Sequence, residues 1–204
     1  MQLNSANEGV LVLLTIGILI FPDAEELDFV GPFEVLSFVN KVRPDSSRVL
    51  FIAETADAVR AYNGMRVLPD TTLSACPQLD ILVVPGGQGR RQAMKNPAIL
   101  DFVKQQEPLA RHITSVCTGS FVLAEAGLLT GKKATTYHAY YDELAAYNIE
   151  VIKNKVVPQG KIITAGGVSS GIELGFYLLR ELFSAEIAQQ VADKIEYVVD
   201  VRMI

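Results

Sequence analysis

Ile113-Thr114-Ser115-Val116-Cys117-Thr118-Gly119-Ser120-Phe121-Val122-Leu123-Ala124 decides how the rest of the chain reads. A short β-type run enters the cysteine, small residues follow it, and a helix-type pattern leaves. A sharp strand-to-helix turn lifts one side chain above a sheet and needs small neighbours, which is how a nucleophile elbow is made. A helix start also carries partial positive charge, which favours a thiolate. A free cysteine serves equally well as buried, inert packing. The turn therefore makes Cys117 a candidate nucleophile and leaves the structural role open.

Outward from this elbow, strand patterns alternate with helix patterns. The apolar run Val10–Phe21 contains a first strand, and Phe29–Asn40 reads as a helix. Val49–Ala53, Leu79–Val84 and Ile113–Val116 read as further strands, Pro97–Gln106 and Gly119–Ala126 as helices. Ala61–Leu68 reads as a hairpin, because its Asn63-Gly64 pair suits a type I′ turn. Ala134–Thr136, Val151–Val157 and Lys161–Thr164 are strand candidates. Asp142–Tyr147, Gly171–Phe183 and Ala185–Val198 are helix candidates. The alternation predicts an α/β sandwich with a mostly parallel central sheet. No repeat or linker divides it, so residues 10–204 read as one domain behind a flexible leader, residues 1–9.

Composition narrows the function classes. Half of the 204 residues are hydrophobic and 20% charged, with a net charge of −5, which is a compact globular composition. No dense Lys/Arg stretch marks a nucleic-acid surface. Val10–Phe21 is short for a membrane span and lacks the basic n-region of a signal peptide; a parallel strand buried on both faces explains it. No membrane partner is therefore expected. Two cysteines, Cys76 and Cys117, make no disulfide scaffold and suit a reducing, cytoplasmic compartment. They and the two histidines lie too far apart in sequence to suggest a metal site.

In open α/β sheets, ligands bind beyond the carboxyl ends of the strands. Five unusual segments sit there: the loop through Asp28, Pro85-Gly86-Gly87, Cys117-Thr118, Tyr137-His138 and Gly166-Gly167. One small-molecule pocket at that edge would account for all of them. Asp28 can orient a thiol and pass a proton to substrate, or it can cap the following helix. Asp23, Glu25 and Glu26 read as solvated loop charges. The amides of Gly86, Gly87 and Thr118 could form an oxyanion hole; a tight turn with no ligand explains the two glycines as well. Gly167 has the same standing, and Ser169 or Ser170 reads as a cap for the next helix. Glu173 is open between an ion pair and solvent. His138 can face the pocket or the solvent. His112, at the start of the cysteine strand, lies roughly 15 Å from Cys117 at ~3.3 Å per residue and reads as a surface residue. Cys76, in a loop before Pro77, reads as structural.

Taken together, these residues resemble the ThiJ/PfpI family within the class I glutamine amidotransferase-like superfamily, over almost the whole chain. The resemblance is carried by Leu27-Asp28 with Gly31-Pro32-x-Glu34-Val35-Leu36, by Asp80 through Val84 into Pro85-Gly86-Gly87, and by Thr114 to Ser120. It continues through Ala126-Gly127-Leu128-Leu129, Ala134-Thr135-Thr136 and Gly166-Gly167-Val168 with Gly171-Ile172-Glu173. The flavodoxin-like three-layer fold of that superfamily is what the resemblance implies. Within the family the chain looks most like the isonitrile hydratase branch. That implies Cys117 as nucleophile, Asp28 as its acidic partner and Thr118 beside it; Gly86, Gly87, Tyr137, His138 and Gly167, by their place at the strand ends, are the candidates to line the substrate site. It also implies a homodimer with no metal and no cofactor.

Peptidase and glyoxalase-like branches usually place His after the nucleophile; here that residue is Thr118. Hydratase-like relatives usually carry His-Trp after Ala-Thr-Thr, whereas this chain has Tyr137-His138, which implies a differently lined pocket. Related domains act as sensing modules in transcription regulators. A non-catalytic small-molecule or redox sensor with an oxidisable cysteine is therefore the alternative to a lyase that hydrates isonitriles.

Overall fold

The structure, a computed structural model, describes residues 13–204; the expected leader lies outside them. β1 (Leu14–Leu19) and β2 (Ser47–Ala53) flank α1 (Glu26–Phe38) in sequence. A small hairpin of β3 (Val59–Arg60) and β4 (Arg66–Val67) follows, then β5 (Thr71–Thr72), β6 (Ile81–Val84), α2 (Arg90–Ala93) and α3 (Pro97–Gln106). β7 (His112–Val116) runs through a 3-10 turn, Cys117–Gly119, into α4 (Ser120–Glu125). β8 (Lys133–Ala134), α5 (Tyr141–Ala145), β9 (Glu150–Val151), β10 (Val156–Gln159), β11 (Ile162–Ala165), α6 (Ser170–Leu182) and α7 (Ala185–Lys194) complete the chain.

The central sheet has the order β10-β11-β7-β6-β1-β2-β5. Its six inner and far-edge strands are parallel, and β10 is an antiparallel edge. α1, α6 and α7 pack together as one layer and α2, α3 and α4 as another. Both faces of the sheet are thus covered, so β6 buries all four of its side chains and tolerates no alternation. The α/β sandwich expected from the sequence is the fold observed. The described part of the apolar run, from residue 13 on, contains β1, and among the described residues no helix is long and apolar enough to cross a membrane.

Several element bounds differ from the sequence reading, each for a local reason. The Asn63-Gly64 turn is not type I′, because only Gly64 takes positive φ (103°); the Gly64 amide instead closes onto the Ala61 carbonyl at 3.0 Å. Val151–Val157 is broken into β9 and β10, since the amide of Ile152 turns to the Ala134 carbonyl. Pro158 fits in β10 because that strand is an edge. α7 stops at Lys194 and not at Val198. Glu196 enters the left-handed region (φ 56°) and the amide of Tyr197 reaches back to Ala192, a Schellman-type ending made without glycine. The two-residue β5 and the four-residue α2 were too short to show a period.

One packing feature positions the site. α1 and α6 cross at small residues: a Cβ on Gly171 would touch Pro32 at 3.0 Å, and one on Gly175 would meet Val35 at 2.7 Å. This close approach brings Asp28 on α1 and the Gly166-Gly167-Val168 entry to α6 to the carboxyl edge of β7, where Cys117 stands.

Candidate active site

Cys117 sits at the tip of the β7 elbow with φ +56°, a conformation non-glycine residues adopt only when their surroundings impose it. Those surroundings are visible. Its amide donates to the Gly166 carbonyl at 2.8 Å, and its own carbonyl accepts from Thr136 Oγ1 at 3.0 Å and Ser120 Oγ at 3.3 Å. Gly119 completes the turn because any Cβ there would run into the Val84 carbonyl. The elbow is thus pinned by three segments distant in sequence. Thr136 is a positioning residue that the sequence reading left inside an unexplained Ala-Thr-Thr run.

Asp28 lies in the first turn of α1 and is fully buried. It is not the cap of that helix; Glu25 holds the cap position, and its side chain caps no helix amide. Asp28 Oδ2 accepts from the Gly86 amide at 2.9 Å. Oδ1 has no hydrogen-bond partner, and the Cys117 thiol is the neighbouring acid. A buried carboxylate with one donor is costly to keep charged. Burial accordingly pushes Asp28 from its ordinary 3.8 up to about 8, opposed by the Gly86 amide, so it carries a proton at neutral pH. That proton has Oδ1 as its natural seat.

At Cys117, burial outweighs the pull of the helix start towards a thiolate. Burial pushes the Cys117 thiol up to about 12, and the neighbouring Asp28 charge adds to this. The neighbouring amides of Val168 and Thr118 pull the other way without compensating. Two acids in contact resist losing both protons, so they titrate as a pair. At neutral pH the pair is a thiol beside a carboxylic acid.

The expected oxyanion hole is also different in kind. The Gly86 amide is taken by Asp28 and the Gly87 amide donates to Thr118 Oγ1 at 3.1 Å. A side chain at Gly86 would lie 2.5 Å from the Thr118 nitrogen and 3.0 Å from Asp28 Oδ2, so glycine there lets the acid, the turn and the elbow meet. The two free-standing amides near the sulfur are those of Thr118 and Val168.

Cys117 and Thr118 open into a cleft of about 190 Å³ whose walls include Tyr62, Tyr137, Tyr140 and Val168. The ring of Tyr137 packs against the backbone of Gly167, whose missing Cβ leaves room for it. Tyr137 divides two depressions. His138 is exposed and lies, with Gly167, on the neighbouring one, away from the cysteine. Glu25 lines the cleft and so is not a free loop charge. Glu26 accepts the Asn63 amide and side chain, each at 2.7 Å, which fastens the turn carrying Tyr62 over the cleft. Ser169 and Ser170 make no side-chain cap for α6. Glu173 is buried and paired with Lys155. His112 is half-buried at the far end of β7, where burial lowers its pKa, and burial pushes Cys76 up to about 11, in keeping with an inert thiol.

The sequence reading missed Arg90. It is 3% exposed, lines the same cleft, and makes a bidentate pair with Glu143 at 2.8 and 3.1 Å. No pattern flagged it, because its helix α2 is only one turn long and Glu143 follows 53 residues later.

Comparison with known proteins places this geometry. The DJ-1/PfpI family profile matches residues 14–181. The isonitrile hydratase of Pseudomonas putida is 40% identical over 184 residues, which are 90% of this chain and 78% of that protein. The crystal structure of a ThiJ/PfpI family protein from Pseudomonas syringae superposes with a TM-score of 0.86 at 30% identity, covering 93% of this chain and 77% of the other. Drosophila melanogaster DJ-1beta superposes with a TM-score of 0.82 at 25% identity, covering 92% and 100%.

Proposed function

The chain belongs to the DJ-1/PfpI family, and from that premise we propose that it is a cysteine-dependent hydro-lyase that adds water to an isonitrile and releases an N-substituted formamide. The observation that carries this reading is the pairing of a protonated, buried Asp28 with the Cys117 thiol. An isonitrile carbon becomes electrophilic when it is protonated, so the reaction needs an acid of near-neutral pKa beside a nucleophile. It does not need an oxyanion hole in its first step, because no charge develops on oxygen. That agrees with the Gly86 and Gly87 amides being engaged elsewhere, and it disfavours acyl transfer. Similarity to the Pseudomonas putida isonitrile hydratase points the same way.

In this mechanism Asp28 gives its proton to the isonitrile carbon as the Cys117 sulfur bonds to it, and the carboxylate takes the thiol proton. The product is a thioimidate, in which the covalent intermediate divides one difficult addition into two. Asp28 then protonates the thioimidate nitrogen and takes a proton from the attacking water. Collapse breaks the carbon–sulfur bond, returns the hydroxyl proton to the sulfur through Asp28, and frees the formamide. Thr118, its hydroxyl tied to Gly87, fixes the amide that faces the sulfur. The family reading also carries a homodimer and a cytoplasmic setting.

Formamide production from a panel of small isonitriles tests this reading. Wild-type turnover lost by ~10³-fold or more in Cys117→Ala is expected; full activity in that variant would sink it. The alternative, a redox sensor, draws on the Thr118 and Val168 amides that converge on the sulfur and could hold a sulfinate. A thiol pushed up to about 12 is poorly suited to it. Intact-mass gain confined to Cys117 under mild peroxide, with no turnover of any isonitrile, would favour the sensor.

A further inference from the structure

The Arg90 guanidinium is almost entirely buried and yet incompletely used. Nη1 bonds Glu143 Oε1 at 2.8 Å and Met94 Sδ at 3.8 Å, and Nη2 bonds Glu143 Oε2 at 3.1 Å. Guanidinium has five N–H donors in a rigid plane. An end-on pair through Nη1 and Nη2 leaves Nε–H and the second Nη2–H side by side on one edge. That edge has no oxygen or nitrogen acceptor among the described residues. The rings of Phe121 and Tyr140, 4.0 and 4.7 Å from the guanidinium carbon, flank the group with apolar surface. Arg90 is also a lining residue of the cleft that holds Cys117.

We propose that this free edge of Arg90 binds a neutral carbonyl oxygen carried on the substrate's nitrogen substituent, making Arg90 the residue that selects a carbonyl-bearing isonitrile over a plain alkyl one. The reacting group in this statement rests on the hydration reading; the carbonyl contact does not. Charge argues for a neutral acceptor over a carboxylate. Glu143 already matches the Arg90 charge, the pairing holds the Glu143 carboxyl below its ordinary range, and Glu25 adds a carboxylate to the lining. An anionic substituent would meet a cation already paired and an acid in the wall. Size agrees as well: about 190 Å³ is somewhat more than the ~150 Å³ cavity that holds a benzene, which suits a substituent of a few heavy atoms.

The test is calorimetric binding of product-like formamides, which needs no turnover. N-formylglycine methyl ester, its chain-matched analogue N-butylformamide, and N-formylglycine itself are titrated into wild type and Arg90→Lys. The ester is expected to bind wild type ~10- to 100-fold more tightly than the butyl compound, as a bond to a buried charge contributes. In Arg90→Lys, which keeps a cation for Glu143 but has no planar fork, that preference should vanish while butyl binding stays within ~3-fold. Equal wild-type affinity for ester and butyl compounds overturns the proposal, and so does a preference that survives in Arg90→Lys. Tighter binding of the free carboxylate than of the ester overturns the neutral-acceptor assignment. The wild-type ligand comparison decides the matter even if the variant does not fold. Parallel turnover of methyl isocyanoacetate and butyl isonitrile separates the two ideas. Ester preference without turnover would leave the Arg90 contact standing and remove the hydratase reading; turnover without ester preference would do the reverse.

Discussion

The two ends of the cleft are built by opposite means. At the Cys117 end, the backbone does the work: a positive φ, two glycines that admit no side chain, and main-chain groups bonded by Thr136, Gly166 and Asp28. At the Arg90 end, side chains from α2, α4 and the α5 region make the wall through a salt bridge and ring contacts. The first kind of construction has few solutions and fixes atoms closely. The second can change its residues one at a time and keep its shape. Chemistry therefore sits where the backbone dictates, and selectivity sits where side chains can vary.

Asp28→Asn should produce the largest effect at the backbone-built end. It removes the proton donor while keeping an acceptor for the Gly86 amide, and turnover of any isonitrile should fall by ~10²–10⁴-fold. Wild-type kcat/KM should decline as pH rises through about 8, where Asp28 loses its proton. Stability provides a second readout. Between its ordinary 3.8 and about 8 the folded protein holds a proton that the unfolded chain releases. The Asp28 contribution is thus full below the ordinary value and is lost as pH climbs towards 8. Thermal melts across that window should show wild type losing stability with pH and Asp28→Asn losing less; parallel curves would contradict the buried, protonated acid.

Gly86→Ala comes next. Its Cβ would press on the Thr118 nitrogen and on Asp28, and denaturant unfolding should show a loss of about 3 kcal/mol, together with lost turnover. A smaller effect is expected from Thr136→Val, which takes one of two hydroxyls from the Cys117 carbonyl and should cost ~1–2 kcal/mol. The smallest belongs to the rim. Glu26→Ala unfastens the turn that holds Tyr62, and steady-state kinetics should show KM rising ~2- to 5-fold with kcat little changed. A fall in kcat as large as the rise in KM would mean that the rim is not independent of the elbow.

This division also explains what could be read from the chain alone. The elbow announces itself in consecutive residues, since a strand, a cysteine and small residues must follow one another for the turn to form at all. Asp28 and Gly86-Gly87 were legible because strand ends in a parallel sheet converge on one edge. The protonation of Cys117 was not legible, since local sequence shows a helix start but not the burial that outweighs it. Sequence left His138 open between pocket and solvent, and the turn at Tyr137 places it on the neighbouring depression. Arg90 and Glu143 were invisible: neither stands in a periodic or motif context, and their meeting depends on how α2 and α5 pack. Proximity of that kind is a property of the folded tertiary contacts, not of spacing.

The pinning of the elbow has a consequence for how the protein is made. Cys117 takes its fixed conformation from the Gly166 carbonyl and the Thr136 hydroxyl, both of which lie downstream of it in the chain. During vectorial synthesis, β7 emerges and can pair with β6 well before β11 and α6 exist. In that interval the cysteine is an ordinary, accessible thiol with no acid held against it by a finished fold. The hazard of a reactive group and the control over it therefore arrive at different times, and the last third of the chain acts as the latch.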